Sequence, residues 1–571
     1  MPRHTCDDRG RLKRLQSRVP GVALVTGYRR SWLPGDLLAG VTVAAYLVPQ
    51  VMAYASVAGV PPVTGLWAVL PALVLYALLG SSRLLAVGPE STTALMTAAV
   101  VAPLAAGDPR RYGTVAAALA LTTALMCLVA WAARLGFIAD LLSRPVLVGY
   151  LTGIALLMTV NQLPKLTGVP TTGSDFFPQL LSFLRNLSSA GATTVAFSAA
   201  LLVFLFVAPR LWAAVPRPLL AVVLGTGVVA LFSWENHGIA VVGPVPSGLP
   251  HLALPDPSEL PHLLVPALGI LLVGYSDVIL TGRAFAERDE RGRLDPNQEL
   301  LSLGAVNVGA SLFHGFPVSS SASRTALAAS TGARTQMYSL VTCSAVLFVL
   351  LFLGPVLGRI PVPVLGALVV YAAVRLIDLA GFRQLAAFRR REFLLAASCL
   401  IGVLALGVLY GVLVAVGLSV AELLSRVARP HDAVEGLVPG VAGMHDIDDY
   451  AKARTIPGLL IYRYDSPLFF ANAENFKRRA LAALDEQTQP VYWFVLNTEA
   501  NVEVDITALD SVEELRHEMT ERGIVFAMAR VKQDLRDQLN AYGLSDSVGD
   551  GLIFPTLPTA VAGYRKWRSG R

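Results

Sequence analysis

The chain of 571 residues is 54% hydrophobic and only 15% charged, with a mean hydropathy of +0.58. Those proportions exclude an ordinary soluble enzyme and fit a polytopic membrane protein. The net charge of +6 is small for the length, and the Arg and Lys sit in short clusters between apolar runs, so nothing points to nucleic acid.

Met1 to Arg30 is basic, with Arg9, Arg11, Lys13, Arg14, Arg18, Arg29 and Arg30, and it lacks the apolar core and cleavage site of a secretory signal. Residues 1–35 therefore read as a cytoplasmic arm, and the first membrane helix as an uncleaved anchor. The membrane domain is expected over 36–430. Its first half places spans at Asp36–Val57, Val63–Leu79, Val115–Ala133, Val146–Asn161, Thr193–Val207 and Leu219–Phe232. The second half places them at Leu263–Phe285, Glu299–Phe313, Tyr338–Leu353, Val364–Leu376, Phe393–Leu409 and Gly411–Leu424. The loop Ser233 to Pro261 contains no Lys or Arg and reads as external, while Arg283, Arg288, Arg291 and Arg293 mark a cytoplasmic loop. Arg110, Arg111, Lys165 and Arg185 run against that charge rule. Cys6, Cys127, Cys343 and Cys399 have no paired spacing, so no metal site, disulfide framework or cofactor is expected.

Two stretches differ from the uniform apolar runs. One is Gly88-Pro89-Glu90-Ser91-Thr92-Thr93, followed by ALMTAAVVAPLAA. The other is Phe316-Pro317-Val318-Ser319-Ser320-Ser321-Ala322-Ser323-Arg324-Thr325, followed by a short apolar helix pattern. Each has a proline break, a cluster of hydroxyls and then a short helix. Interrupted segments at corresponding places in two halves are the sequence pointer to a transporter site. Free N–H groups and a partial positive charge at each half-helix start suit an anion. With these two segments the count is about fourteen, seven plus seven. Asp277 lies well inside its apolar span, with Thr281 one turn on, and an acid there is costly and a functional candidate.

From about Gly436 the pattern alternates. Strands are expected at Leu459–Tyr464, Leu468–Ala471, Tyr492–Asn497 and Val525–Arg530. Helices are expected at Ala473–Leu484, Ala508–Arg522, Gln533–Tyr542 and Pro558–Trp567. Residues 431–571 thus form a linker and a small α/β domain.

Four stretches carry a resemblance: GDLLAGVTVAAYLVPQVMAYASVAGVPPVTGLW, YALLGSSRLLAVGPES, LDPNQELLSLGAVNVGASLFHGFPVSSSASRTA and the C-terminal domain. Together they resemble the SulP family, the bacterial relatives of solute carrier family 26, with a C-terminal STAS domain. The resemblance is strongest to the actinobacterial sulfate-permease type. It implies a polytopic α-helical membrane protein of about fourteen segments in a 7+7 inverted repeat, a cytoplasmic STAS domain and a homodimer. It also implies an anion held between the third and tenth segments, with alternating access by an elevator-like shift. The substrate positions it implies are Gln50, Tyr54, Glu90, Ser91, Thr92, Ser321, Ala322, Ser323 and Arg324, with Gly88 and Pro89 in the third-segment motif. Asp277 and Thr281 match positions that hold sodium in bicarbonate-transporting relatives, while Glu90 is a coupling candidate on its own chemistry. Ser319 and Ser320 read as caps of the second half-helix.

Two departures stand out. Many relatives carry an apolar or small residue at the position of Glu90, and a carboxylate there must be protonated or paired with Arg324. Ala322 stands where bicarbonate carriers can have a hydroxyl, which weakens sodium coupling. In the C-terminal domain, Asp505-Ile506-Thr507-Ala508 stands where phosphorylated relatives have an Asp-Ser-Ser-Gly turn; Thr507 keeps a hydroxyl but the glycine is gone, which favours a structural Asp-Thr helix cap.

These features read as a secondary transporter of a small inorganic oxyanion in the cell inner membrane, sulfate foremost, coupled to protons through Glu90 or Asp277. Bicarbonate or a C4-dicarboxylate as substrate, an anion channel, and an anion-sensing receptor or scaffold are the alternative readings. The expected partners are the anion, a proton or a sodium ion, the lipid bilayer and a second copy. No nucleophile–base pair or cofactor fingerprint supports an enzyme.

Overall fold

The computed structural model describes residues 20–22, 27–137, 143–172, 175–207, 217–246, 248–250, 252, 254–286 and 294–570. Contacts divide the chain into two units, Met1–Ser419 and Val420–Arg571.

The first unit is helical. It runs through α1 (Leu33–Val57), α2 (Pro62–Leu79), β1 (Val87–Gly88), α3 (Ser91–Ala105), α4 (Pro109–Ala132), α5 (Arg144–Thr167), α6 (Phe176–Arg185), α7 (Ala192–Val207) and α8 (Arg217–Leu231). It continues through α9 (Leu264–Ala286), α10 (Pro296–Leu312), β2 (Ser319–Ser320), α11 (Ala322–Ser330), α12 (Met337–Phe352), α13 (Gly354–Gly358), α14 (Val362–Leu376), α15 (Leu379–Phe388) and most of α16 (Arg390–Ala428), whose last residues belong to the second unit. Six stretches among the described residues are long and apolar enough to cross a membrane. Each expected span falls on a helix. The last two share α16, which breaks at Gly407, where φ is 81° and ψ is 173°. The short α6, α13 and α15 were not expected, because pieces of five to ten residues fall below the length signal of a span.

Three packings between the halves have reciprocal counterparts. α1 packs on α12 and α9 on α4; α2 packs on α12 and α10 on α4; α11 packs on α1 and α3 on α9. Exchanging the two halves turns each pair into its partner, as a two-fold relation between them requires. Small residues allow the close approach: a Cβ on Gly65 of α2 would lie 2.1 Å from the Val51 carbonyl oxygen of α1. Two exceptions to the charge rule are held by local contacts. Arg111 pairs with Glu259 at 3.3 Å, and the Lys165 ammonium donates to the Ser56 carbonyl at 3.3 Å.

α3 and α11 have 15 and 9 residues. At 1.5 Å per residue they reach roughly 22 and 14 Å, short of a hydrocarbon core of about 30 Å. Neither crosses alone, and β1 and β2 bring their starts together.

The second unit holds a six-stranded sheet. Its strands are β3 (Asp432–Leu437), β4 (Met444–Asp446), β5 (Leu459–Tyr464), β6 (Trp493–Asn497), β7 (Val525–Ala529) and β8 (Ile553–Phe554), in the order β4-β3-β5-β6-β7-β8. β5 to β8 are parallel, and β3 runs antiparallel to both neighbours. Its helices are α17 (Ala473–Asp485), α18 (Ile506–Glu521), α19 (Gln533–Tyr542), α20 (Leu544–Val548) and α21 (Leu557–Ser569). Alternate strand residues split between the faces. Leu460, Tyr462, Phe494, Leu496, Phe526 and Met528 pack against α17 to α20, while Leu459, Ile461, Trp493, Val495 and Ala527 pack against α21. Burial of both faces explains the continuous apolar runs of these strands.

The expected strand Leu468–Ala471 is absent. Leu468 makes one parallel bridge to Val504, and the Asn472 side chain then accepts from the Phe469 amide at 2.9 Å, closing a turn into α17. β3, β4, β8 and α20 were not expected. At the Asp505 turn the carboxylate accepts from the Ala508 and Phe470 amides at 2.8 and 2.7 Å. The cap is therefore Asp505 alone; Thr507 is exposed and makes no side-chain hydrogen bond.

Candidate functional site

The two interrupted segments meet as a short antiparallel ladder, with Val87 opposite Ser320 and Gly88 opposite Ser319. The Ser321 amide extends it to the Ala86 carbonyl at 2.8 Å, and the Thr325 hydroxyl accepts from the Ala86 amide at 2.9 Å. Asn307 of α10 fixes the approach to β2, its Oδ1 accepting from the Val318 amide at 2.9 Å and its Nδ2 donating to the Val318 carbonyl at 3.2 Å. α9 holds β2 from the other side. The Ser319 hydroxyl donates to the Gly274 carbonyl at 2.8 Å, and the Ser320 hydroxyl to the Asp277 carboxylate at 2.7 Å. Ser319 and Ser320 thus tie the strand to α9 and do not cap α11. Thr281 is buried on α9, and among the described residues no hydrogen bond joins it to Asp277.

The two half-helix starts differ. At α3 the N-cap is Glu90. Its carboxylate accepts the Thr92 amide at 2.8 Å and the Ser91 hydroxyl at 2.7 and 2.8 Å. At α11 the N-cap is Ser321, whose side chain makes no cap bond and lies 3.2 Å from the Ser323 hydroxyl. Ala322 and Ser323 are exposed, while Arg324 is fully buried.

Arg324 lies between the two starts. Its Nη1 donates to the Pro89 carbonyl at 2.9 Å and to Gln50 Oε1 at 3.3 Å. Among the described residues its Nε and Nη2 have no hydrogen-bond partner. Glu90 and Arg324 make no ion pair within 4.0 Å, so of the two alternatives for Glu90, protonated or paired with Arg324, the pairing is not made. The physical reason is local: Glu90's carboxylate is bound by the first-turn donors of its own helix. Gly88 leaves room for the guanidinium. A Cβ there would lie 2.8 Å from Val69 Cγ2 and 3.4 Å from Arg324 Nη2, at a φ of 155°.

α1 supplies the third wall. Pro49 interrupts its hydrogen-bond ladder one residue before Gln50. Gln50 Nε2 donates to the hydroxyls of Tyr54 and Tyr46 at 2.9 and 3.3 Å, which orients its Oε1 toward Arg324. The Tyr46 hydroxyl lies 3.5 Å from Ser323 Oγ. Tyr46, Gln50 and Tyr54 share a face at four-residue spacing.

The structure thus brings together Gln50, Tyr54, Glu90, Ser91, Thr92, Ser321, Ala322, Ser323 and Arg324. Asp277 reaches this group through Ser320, and Thr281 is not bonded to it. Sequence reasoning missed Asn307 and Tyr46, although the spacing of Tyr46 from Gln50 and Tyr54 was legible; it read Ser320 as a helix cap and gave Thr325 no role. Chemically the group offers a buried, half-satisfied cation and hydroxyls beside two helix N-termini. That is an arrangement for a desolvated anion. Among the described residues no cluster of His, Cys, Asp or Glu is arranged to hold a metal ion.

Comparison with known proteins gives consistent likenesses. The profile described as the sulfate permease family matches residues 33–399, and that of the STAS domain matches residues 450–560. A protein of Mycobacterium tuberculosis named a probable sulfate transporter is 56% identical over 551 residues, 96% of this chain and 98% of that one. Sulfate transporter 3.1 of Arabidopsis thaliana is 29% identical over 563 residues, 94% of this chain and 85% of its own. Among solved structures, SLC26A9 aligns with a TM-score of 0.88 at 22% identity, covering 98% of this chain and 94% of that one. The transmembrane domain of the cyanobacterial bicarbonate transporter BicA aligns with a TM-score of 0.60 at 24% identity, covering 69% and 98%. These two likenesses establish the fold.

Proposed function

This chain belongs to the sulfate permease family, and we propose that it is a secondary transporter holding a small inorganic oxyanion, sulfate foremost, between the N-termini of α3 and α11. The observation that carries the reading is Arg324: a buried guanidinium that, among the described residues, has no carboxylate partner and two unpartnered nitrogens. Such a group is costly to keep unless a ligand completes it. Arg324 and two helix ends of about +0.5 each sum to roughly +2, which balances a sulfate dianion. Backbone N–H groups, Ser323 and Arg324 replace the water shell of the ion, and Gln50 and Tyr54 border it from α1.

The coupling ion in this reading is a proton, carried by Glu90 or Asp277. Alternating access moves the half-helix pair with its bound anion past the remaining helices. The basic N-terminal arm and the STAS domain lie on the cytoplasmic side by the charge rule, and the working unit is a homodimer. Bicarbonate is the second substrate reading. The Glu90 carboxylate favours it, because an acceptor in the site suits an oxyanion that keeps a proton of its own. Sulfate and bicarbonate uptake into proteoliposomes, with and without an imposed pH gradient, tests both readings. Sulfate flux accelerated by an inward proton gradient is expected. Flux indifferent to the gradient removes proton coupling, and absence of flux for both anions removes the transport reading.

A further inference from the structure

We infer that Glu90 is a displaceable internal anion: its carboxylate occupies the α3 donors that an oxyanion needs, and sulfate displaces it together with one proton. The inference rests on the oxyanion reading above and assigns the control of that site. Glutamate is not among the residues favoured at helix N-caps, where the shorter Asp, Asn, Ser and Thr reach the backbone more readily. Here its carboxylate nevertheless turns back onto the helix start and takes both the Thr92 amide and the Ser91 hydroxyl. A carboxylate is itself an oxyanion, so Glu90 sits where a substrate oxygen would be bound. α11 has no such occupant: its N-cap side chain makes no cap bond, Ser323 is exposed, and Arg324 keeps Nε and Nη2 without partners. The clamp is therefore closed on itself at α3 and open at α11.

Charge gives the same answer. With Glu90 ionised, the sum of roughly +2 falls to about +1, too little for a dianion. One proton added to the carboxylate makes a carboxylic acid, a weaker acceptor. The Ser91 O–H and Thr92 N–H are then released to a sulfate oxygen, and the balance of about +2 returns. No covalent bond other than the O–H changes.

The charged and titratable groups close enough to act electrostatically with Glu90 are Tyr54 from α1, Asp277 from α9 and Arg324 from α11. α5 brings Tyr150, whose hydroxyl donates to Met96 Sδ farther along α3. α4 brings Cys127 and Tyr112, the latter donating to the Ala58 carbonyl, and α14 brings Tyr371 and Arg375, which act on Tyr46. Asp277 is the rival proton carrier. It is bonded to Ser320 on β2, so its titration leaves the Glu90 cap bonds in place.

The test uses the full chain purified in detergent. Labelled sulfate binding is measured from pH 5 to 8 for the wild type and Glu90→Gln, alongside proton uptake by the wild type on adding sulfate in weak buffer. Expected are a wild-type affinity that falls by up to about tenfold per pH unit, uptake of about one proton per sulfate, and a flat profile for Glu90→Gln. Sulfate binding without proton uptake overturns the inference, and so does a wild-type slope in Glu90→Gln. A slope lost only in Asp277→Asn moves the proton to Asp277 and also overturns it. The proton measurement needs no variant, so misfolding of Glu90→Gln does not blunt the test. If neither sulfate nor bicarbonate binds the wild type at any pH, the oxyanion reading itself fails.

Discussion

Replacing Arg324 with methionine keeps most of the side-chain volume and removes the guanidinium. At a separation of about 4.5 Å and an effective dielectric constant of about 20, one charge pair is worth roughly 3.7 kcal/mol, and a dianion roughly doubles that. Desolvation of both ions takes back part of it. Truncated buried charge pairs lose about 2–5 kcal/mol in practice. A loss of 3–5 kcal/mol corresponds to roughly 150- to 5,000-fold in Kd. Stability should move the other way or not at all. The substitution gives up the bonds to Pro89 and Gln50 but removes a buried charge with two unpartnered nitrogens. Apolar replacement of such a group is often neutral or stabilising. The assay pairs equilibrium sulfate binding with thermal unfolding of the same purified sample. Binding lost at an unchanged or higher Tm is the expected result. Sulfate affinity within about threefold of wild type would refute the reasoning, because a group held in place for a ligand must matter to that ligand.

Other outcomes follow from the same structure. Gly88→Ala places a methyl 2.8 Å from Val69 Cγ2 at a φ that disfavours side chains, so it should lower stability by about 1–3 kcal/mol and reduce transport; Tm and flux measure both. Asp505→Ala removes the acceptor of the Ala508 and Phe470 amides and should destabilise the STAS domain by about 1–2 kcal/mol, read from denaturant unfolding. Glu435, bonded to Asn497 and Arg463, is held above the usual carboxylate range by burial, against the opposing pull of those two partners. A raised carboxyl binds its proton more tightly in the folded state. Its contribution is therefore favourable at low pH and is lost as pH rises from the unfolded value through the folded one. Tm of the STAS transition should fall over that interval in the full chain, and Glu435→Gln should flatten this component.

Much of the fold was legible because the signals are local. Long apolar runs fix the spans, and a proline followed by hydroxyls marks each half-helix. Apolar runs between helical patterns in the C-terminal domain marked its central strands, since both sheet faces are buried. The short edge strand β4 and the helices α6, α13 and α15 were not legible, because pieces of that length carry little periodicity of their own. Within the site, residue types were readable and partners were not. Glu90 and Arg324 are 234 positions apart, and an opposite-charge pair at one site suggests a salt bridge. The structure gives Glu90 to its own helix and Arg324 to Pro89 and Gln50.

By itself the sequence determined a membrane protein with two interrupted segments and an appended α/β domain. Composition and hydroxyl placement need no long-range information. The pairing of β1 with β2, the reach of Ser320 to Asp277, and the capping of α3 by its own carboxylate while α11 stays uncapped come from the packed structure alone. Those outcomes depend on which donor lies within about 3 Å of which acceptor. Such distances are set by helices packing across the two halves, and no periodicity along the chain records them.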